Sequence, residues 1–177
     1  MPADRTDPAQ VRTWATAVHA ILDEACELVR TLVQQPVPGW QKADASPVTA
    51  IDLAVDRLLR ERLHALHPKA AWLSEETADD PARLQAEHVW VVDPIDGTRS
   101  LLAGEPEFCI SVALVASGSG PVLGCIANPM TRERFWALEG SGAFEAGGRR
   151  LRVRPTVDPD RLDVLGRSEQ IVGGVAR

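Results

Sequence analysis

The chain has 177 residues, 45% of them apolar and 25% charged, with a formal net charge of −6. That length can bury one full core, and the acidic balance argues against nucleic-acid binding driven by phosphate contacts. No apolar run is long enough to span a bilayer, and Met1-Pro2-Ala3-Asp4-Arg5-Thr6-Asp7-Pro8 lacks the apolar stretch of a secretory signal. Cys26, Cys109 and Cys125 are odd in number and sit in apolar contexts, the pattern of buried, reduced thiols in a cytoplasmic protein.

From Pro8 to Val33 apolar residues recur at helical spacing, which predicts one long amphipathic helix ended by Pro36-Val37-Pro38-Gly39. A polar stretch from Gln41 to Ser46 leads to Pro47-Val48-Thr49. A second helix is predicted from about Ala50 to Leu66, on Ile51, Val55, Leu58, Leu59, Leu63 and Leu66, and is stopped by His67-Pro68. Beyond it the pattern turns β-like. Strands are expected at Ala70 to Leu73 and His88 to Val92, with a polar connection from Asp79 to Gln85 and a short helix from Ser100 to Ala103. Phe108 to Ala116 and Val122 to Asn128 read as a hairpin closed by Ser117-Gly118-Ser119-Gly120-Pro121. Glu133 to Leu138, Leu151 to Val153 and Leu162 to Leu165 complete the expected strands. Two helices followed by hairpin-linked strands define an α+β fold, with the helices layered on a largely antiparallel sheet.

The richest chemistry lies in Asp93-Pro94-Ile95-Asp96-Gly97-Thr98, directly after the apolar run Val89 to Val92. A strand there delivers two carboxylates and a carbonyl to one spot, then turns at Gly97. Acids three residues apart on such a turn can grip hard divalent cations, and the backbone N–H groups that follow can face an anion. Asp52, at the first turn of helix two, and Glu75-Glu76, at the end of a short strand, offer further oxygen donors. Each has a plain structural alternative: a helix-start carboxylate for Asp52, a solvated turn for the Glu pair. Other motifs fail on spacing. An EF-hand aligned on Gly97 would put Val92 and Pro94 at ligand positions; Gly118-Ser119-Gly120 lacks the third glycine of a dinucleotide loop; no Gly-Lys-Ser/Thr loop occurs. The histidines, His19, His64, His67 and His88, match no zinc spacing.

Oxygen-only donors favour Mg²⁺ or Mn²⁺. Asp52, Glu75, Asp93 and Asp96 would carry four negative charges, which a phosphate tolerates only with roughly two or three Mg²⁺ ions to offset them. In that arrangement a cation activates water and Thr98 accepts its proton, while Asp52 holds the Thr98 hydroxyl proton.

These residues, in this order, resemble the inositol monophosphatase superfamily of Mg²⁺-dependent, lithium-sensitive phosphatases. The resemblance rests on Ser46 to Asp52, Leu73-Ser74-Glu75-Glu76-Thr77, and Trp90 to Thr98, with further similarity at Glu107 to Leu114, Asn128-Pro129-Met130 and Gly140 to Phe144. It implies that Glu75, Asp93 and the Ile95 carbonyl bind a first metal. It also implies that Asp93 and Asp96 bind a second, that Ile95, Gly97 and Thr98 face the substrate phosphate, and that Asp52, Thr98 and Glu75 serve catalysis. Lys42 is positioned like a basic residue of the family's mobile loop, with a solvated loop lysine as its plain alternative. The domain division it implies is a metal-binding phosphatase domain over 1–155 and the start of a shortened C-terminal region over 156–177. No Trp-Asp dipeptide, which in the family completes the second metal site, occurs in the chain.

The expected function is hydrolysis of a small phosphorylated polyol such as inositol 1-phosphate. The alternatives are a 3′(2′),5′-bisphosphate nucleotidase or a histidinol phosphatase on the same fold. A reading of another class is an impaired homologue that binds metal and acts as a regulatory protein. A small phosphorylated substrate is the expected partner, with no nucleic acid and no membrane, and a homodimer is the form common in the family.

Overall fold

The structure, a computed structural model, describes residues 6–42 and 47–153. Helix α1 (Pro8–Leu32) starts where Asp7 caps it, its carboxylate accepting from the Ala9 N–H at 2.9 Å, and Pro8 takes the first-turn position that needs no donor. A short hairpin follows, β1 (Gly39–Gln41) against β2 (Pro47–Thr49). Residues 39–49 are polar enough in sequence to read as a loop, so this hairpin was not expected. Helix α2 (Ala50–Leu66) begins directly at its end, with Thr49 as N-cap.

Six strands make one sheet in chain order: β3 (Ala71–Ser74), β4 (His88–Asp96), β5 (Cys109–Ala116), β6 (Gly120–Ala127), β7 (Arg134–Leu138) and β8 (Gly142–Glu145). All neighbours are antiparallel except β3 and β4, which run parallel. A parallel pair cannot be joined by a tight turn. Residues 75–87 therefore make a crossover, which contains a 3₁₀ turn at Pro81–Gln85. The α+β layering and the largely antiparallel sheet are as expected. Two strand expectations need comment. Leu151–Val153 forms no strand; the pairing beside it is a single bridge from Arg150 to Phe144 in β8, a strand the Gly-rich sequence concealed. Leu162–Leu165 lies outside the described residues.

Alternation fixes which face is buried. Along β5, Ile110, Val112, Leu114 and Ala116 are buried while their neighbours are half-buried. Trp90 and Val92 of β4 and Val122, Leu123, Cys125 and Ala127 of β6 join them in one core with α1 and α2. From α1 that core takes Val18, Leu22, Ala25 and Val29; from α2 it takes Val55, Leu59 and Leu63, all fully buried. Each of these valines and leucines contributes roughly 1.5–3 kcal/mol of burial. The other face of the sheet is also apolar but more open, with Ile126 and Phe135 exposed. Trp14 and Trp90 are buried as expected, and Trp72 and Trp136 pack against the core. Among the described residues no helix is long and apolar enough to cross a membrane. All three cysteines are free, Cys26 and Cys125 buried and Cys109 partly so, and burial first of all pushes the Cys109 and Cys125 thiols up to about 11 and about 12.

Candidate metal and phosphate site

Sheet register brings the acids together. In the parallel pair Ser74 lies opposite Val92, and the Glu75 N–H donates to the Val92 carbonyl at 3.4 Å. Ser74 and Val92 are both buried and point to the helices. One residue on, Glu75 and Asp93 therefore stand side by side on the opposite face at the carboxyl ends of their strands. The β4–β5 pairing shifts register between Asp93 and Asp96, which opens the backbone around Pro94 and Ile95. Gly97 then takes φ of +102° and Thr98 opens a short helix, α3 (Thr98–Ala103). A side chain at Gly97 would meet the Glu107 carbonyl at 2.8 Å, so the position requires glycine on two counts.

Asp52 uses its two oxygens on two different elements. Its carboxylate closes a capping box at the start of α2: Oδ2 accepts from the Thr49 backbone N–H at 2.9 Å and from the Thr49 hydroxyl, while Thr49 Oγ1 accepts from the N–H groups of Ile51 and Asp52. The other oxygen, Oδ1, accepts from the Thr98 hydroxyl at 3.0 Å; that hydroxyl also lies 3.2 Å from the Ile95 carbonyl. Asp52 is 1% exposed, so one carboxylate ties the start of α2 to the start of α3 without solvent between them.

A cavity of about 240 Å³ is lined by Pro47, Glu75, Ile95, Asp96, Gly97, Thr98 and Arg99. Asp93 interacts with the charges of Glu75 and Asp96, both of which line that cavity. The Asp93 Oδ1 is buried with no hydrogen-bond partner. Burial, then the negative charges of Glu75 and Asp96 and the carboxyl contact with Glu75, push the Asp93 acid up to about 7, while the Ile95 backbone N–H pulls it down. The acids do not already make a closed cage. Among the described residues, no three His, Cys, Asp or Glu side chains group closely enough to hold a metal ion by themselves.

Lys42 is not a solvated loop lysine. Its ammonium lies 2.8 Å from Glu76 Oε1 and 3.4 Å from both Glu75 Oε1 and the Glu75 carbonyl. Burial acts to lower its pKa, but Glu76 and then Glu75 outweigh that effect and the net shift is upward. Burial likewise raises the Glu76 acid, against the pull of Lys42.

Three positioning residues were not singled out in the sequence. Buried Asp56 accepts from the Ser74 hydroxyl, and Ser74 Oγ accepts from the Glu76 N–H at 3.2 Å, which fixes the turn carrying Glu75. Thr49 clamps Asp52. The signal was present: Asp52 and Asp56 fall one helical turn apart on the same stripe as Ile51, Val55 and Leu59, where an acid has no reason to lie unless it is bonded.

Fold and site together define an α+β unit in which two helices back a mixed sheet and oxygen donors collect at the ends of its one parallel strand pair. The inositol monophosphatase family model matches residues 7–170. The chain belongs to that family. It is 34% identical over 160 residues to the 3′(2′),5′-bisphosphate nucleotidase CysQ of Salmonella typhimurium, covering 84% of this chain and 64% of the relative. To the inositol-1-monophosphatase of Caulobacter vibrioides it is 36% identical over 113 residues, 64% of this chain and 44% of that one. Among solved structures it is similar to the extragenic suppressor protein SuhB of Bartonella henselae, at 30% identity with TM-score 0.72, covering 80% of this chain and 54% of that one. The inositol monophosphatase of Thermotoga maritima is matched at 30% identity with TM-score 0.69, over 77% and 52% of the two chains. The chain thus spans less than two thirds of the length of these relatives.

Proposed function

We propose that this chain carries the reaction centre of a metal-dependent phosphomonoesterase. The observation that supports it best is the buried, unpartnered Asp93 Oδ1 beside Glu75 and Asp96. Asp93 feels the negative charges of both Glu75 and Asp96, and a divalent cation would relieve that repulsion while giving the orphaned oxygen a partner. The donors, Glu75, Asp93, Asp96 and the Ile95 carbonyl, are all oxygen, which suits Mg²⁺ or Mn²⁺. Such cations, when bound, offset the charge of a phosphate and lower the pKa of water.

The chain's own residues do the remainder. Asp52 is held rigid by Thr49, so the Thr98 hydroxyl proton has a fixed acceptor at 3.0 Å. As water attacks, Thr98 Oγ1 takes its proton while passing its own hydroxyl proton to Asp52 Oδ1, so no histidine is needed. The water oxygen bonds to phosphorus as the ester P–O bond breaks, and the departing oxygen takes a proton from solvent water and leaves as the alcohol. Gly97 and Thr98, at the head of α3, would meet the phosphate, and Lys42 would add a positive charge at the rim.

Of the substrate readings, the bisphosphate nucleotide is favoured by the likeness to CysQ, which covers more of this chain than does the likeness to the Caulobacter inositol-1-monophosphatase. Inositol 1-phosphate stands second. The test is phosphate release with Mg²⁺ from adenosine 3′,5′-bisphosphate, inositol 1-phosphate and histidinol phosphate. Glu75→Gln and Asp93→Asn are each expected to lower the rate by about a hundredfold or more. An unchanged rate in both variants overturns the reading, and metal binding without turnover by the unaltered chain supports the regulatory alternative.

A further inference from the structure

Beside Glu76 and Thr77, α2 and the crossover flank a second, open concavity. A cavity of about 690 Å³ is lined by Leu53, Asp56, Arg57, Arg60, Glu61, His64, Glu76 and Thr77. It continues past Arg60, His64 and Thr77 into one of about 330 Å³ whose walls include Ala71, Trp72, Ala82, Arg83, Trp90 and the acid Asp80. It shares no residue with the cavity at Asp96 and Thr98. Its size is that of a pocket for a small organic ligand.

Its charges are arranged unevenly. Glu76 is engaged by Lys42, and Glu61 by Arg62. Asp56 is 6% exposed and taken by Ser74. At the far end Arg83 is held by Asp79. Arg57 and Arg60, three residues apart on one face of α2, have no hydrogen-bond or ion-pair partner among the described residues, and exposed His64 stands one turn beyond Arg60. Two free guanidiniums on one wall of a concave site, in a chain of net charge −6, form a fork suited to phosphate. The extension beside Trp72 is lined by alanines together with Asp80, whose carboxylate accepts from the Ala82 N–H at 2.9 Å. The Trp72 indole is fixed by its Nε1–H donating to Thr77 Oγ1 at 3.2 Å.

We propose that this groove is a second binding site, for a phosphorylated small molecule with a flat apolar moiety, its phosphate on Arg57 and Arg60 and its ring toward Trp72. The site needs no metal, which separates it from the carboxylate centre and makes its test independent of the proposed catalysis.

The full chain is titrated with AMP in excess EDTA, with heat of binding as the readout and adenosine and inorganic phosphate as comparison ligands. Under those conditions the acidic centre repels phosphate, so binding there is suppressed. AMP is expected to bind the unaltered chain and Asp93→Asn alike, more tightly than either fragment. Binding should weaken about tenfold or more in Arg57→Gln/Arg60→Gln. Neither arginine is bonded among the described residues, so the variant is expected to fold. Should it not, the His64 ring proton resonances of the unaltered chain decide: a saturable shift with AMP supports the site, and none overturns it. No AMP binding in EDTA, equal binding by the double variant, or loss of binding in Asp93→Asn each overturns the proposal.

Discussion

Gly97→Ala is the most discriminating single change available, because its cost can be divided by a matched control. Gly97 has φ of +102°, and a Cβ there would lie 2.8 Å from the Glu107 carbonyl oxygen and 3.0 Å from Phe108 Cβ. Gly104, at the other end of α3, has φ of +73°, and a Cβ there would meet nothing within 4 Å. Ala at either site incurs the left-handed backbone cost of about 1–2 kcal/mol. Gly97→Ala alone must also push away a backbone carbonyl and a buried aromatic residue, Phe108, which is 4% exposed. Overpacking of that kind adds about 1–3 kcal/mol. Urea unfolding should therefore show Gly104→Ala less stable than the parent by about 1–2 kcal/mol and Gly97→Ala by about 2–5 kcal/mol. The shift in Gly97→Ala would also displace the Thr98 hydroxyl from Asp52. Equal losses in the two variants would refute the claim that the Glu107 backbone closes over Gly97.

Two further outcomes follow from the site. Asp52→Asn keeps the shape of the capping box but removes the charge that holds the Thr98 proton; phosphate release should fall about 10²–10⁴-fold while stability, followed by thermal melting, falls much less. In EDTA, the Asp93 acid sits at about 7, above its ordinary 3.8, so the folded chain binds more protons than the unfolded chain between those values. This group's contribution to stability is full below about pH 4 and is lost as pH rises through about 7. Melting temperatures of the parent relative to Asp93→Asn should thus decline from pH 5 to pH 8 in EDTA, and Mg²⁺ should reverse the decline; a flat difference would refute the clustering of the acids.

Much of this architecture was legible from pattern. The helices α1 and α2, the positions of β3 to β7 and the acidic residues at the end of β4 follow from periodicity and from an apolar run ending in Asp93-Pro94-Ile95-Asp96-Gly97. The β1–β2 hairpin was not legible, since Trp40 is exposed and its polar neighbours carry no alternation. Nor was β8, whose four residues are all half-buried. At the site, Thr49 reads as an ordinary helix-start residue, whereas the place of Asp56 on the apolar stripe of α2 was a legible signal that was passed over.

Local sequence determined which residues could bind oxygen-seeking cations, because residue type sets donor chemistry and the strand–turn pattern sets where donors can end. Only the tertiary structure decided which of them meet. The parallel register that aligns Ser74 with Val92 carries Glu75 to Asp93, and the Asp52–Thr98 bond spans 46 positions of chain. Such pairings depend on how strands and helices pack across the core, and no local pattern encodes that distance.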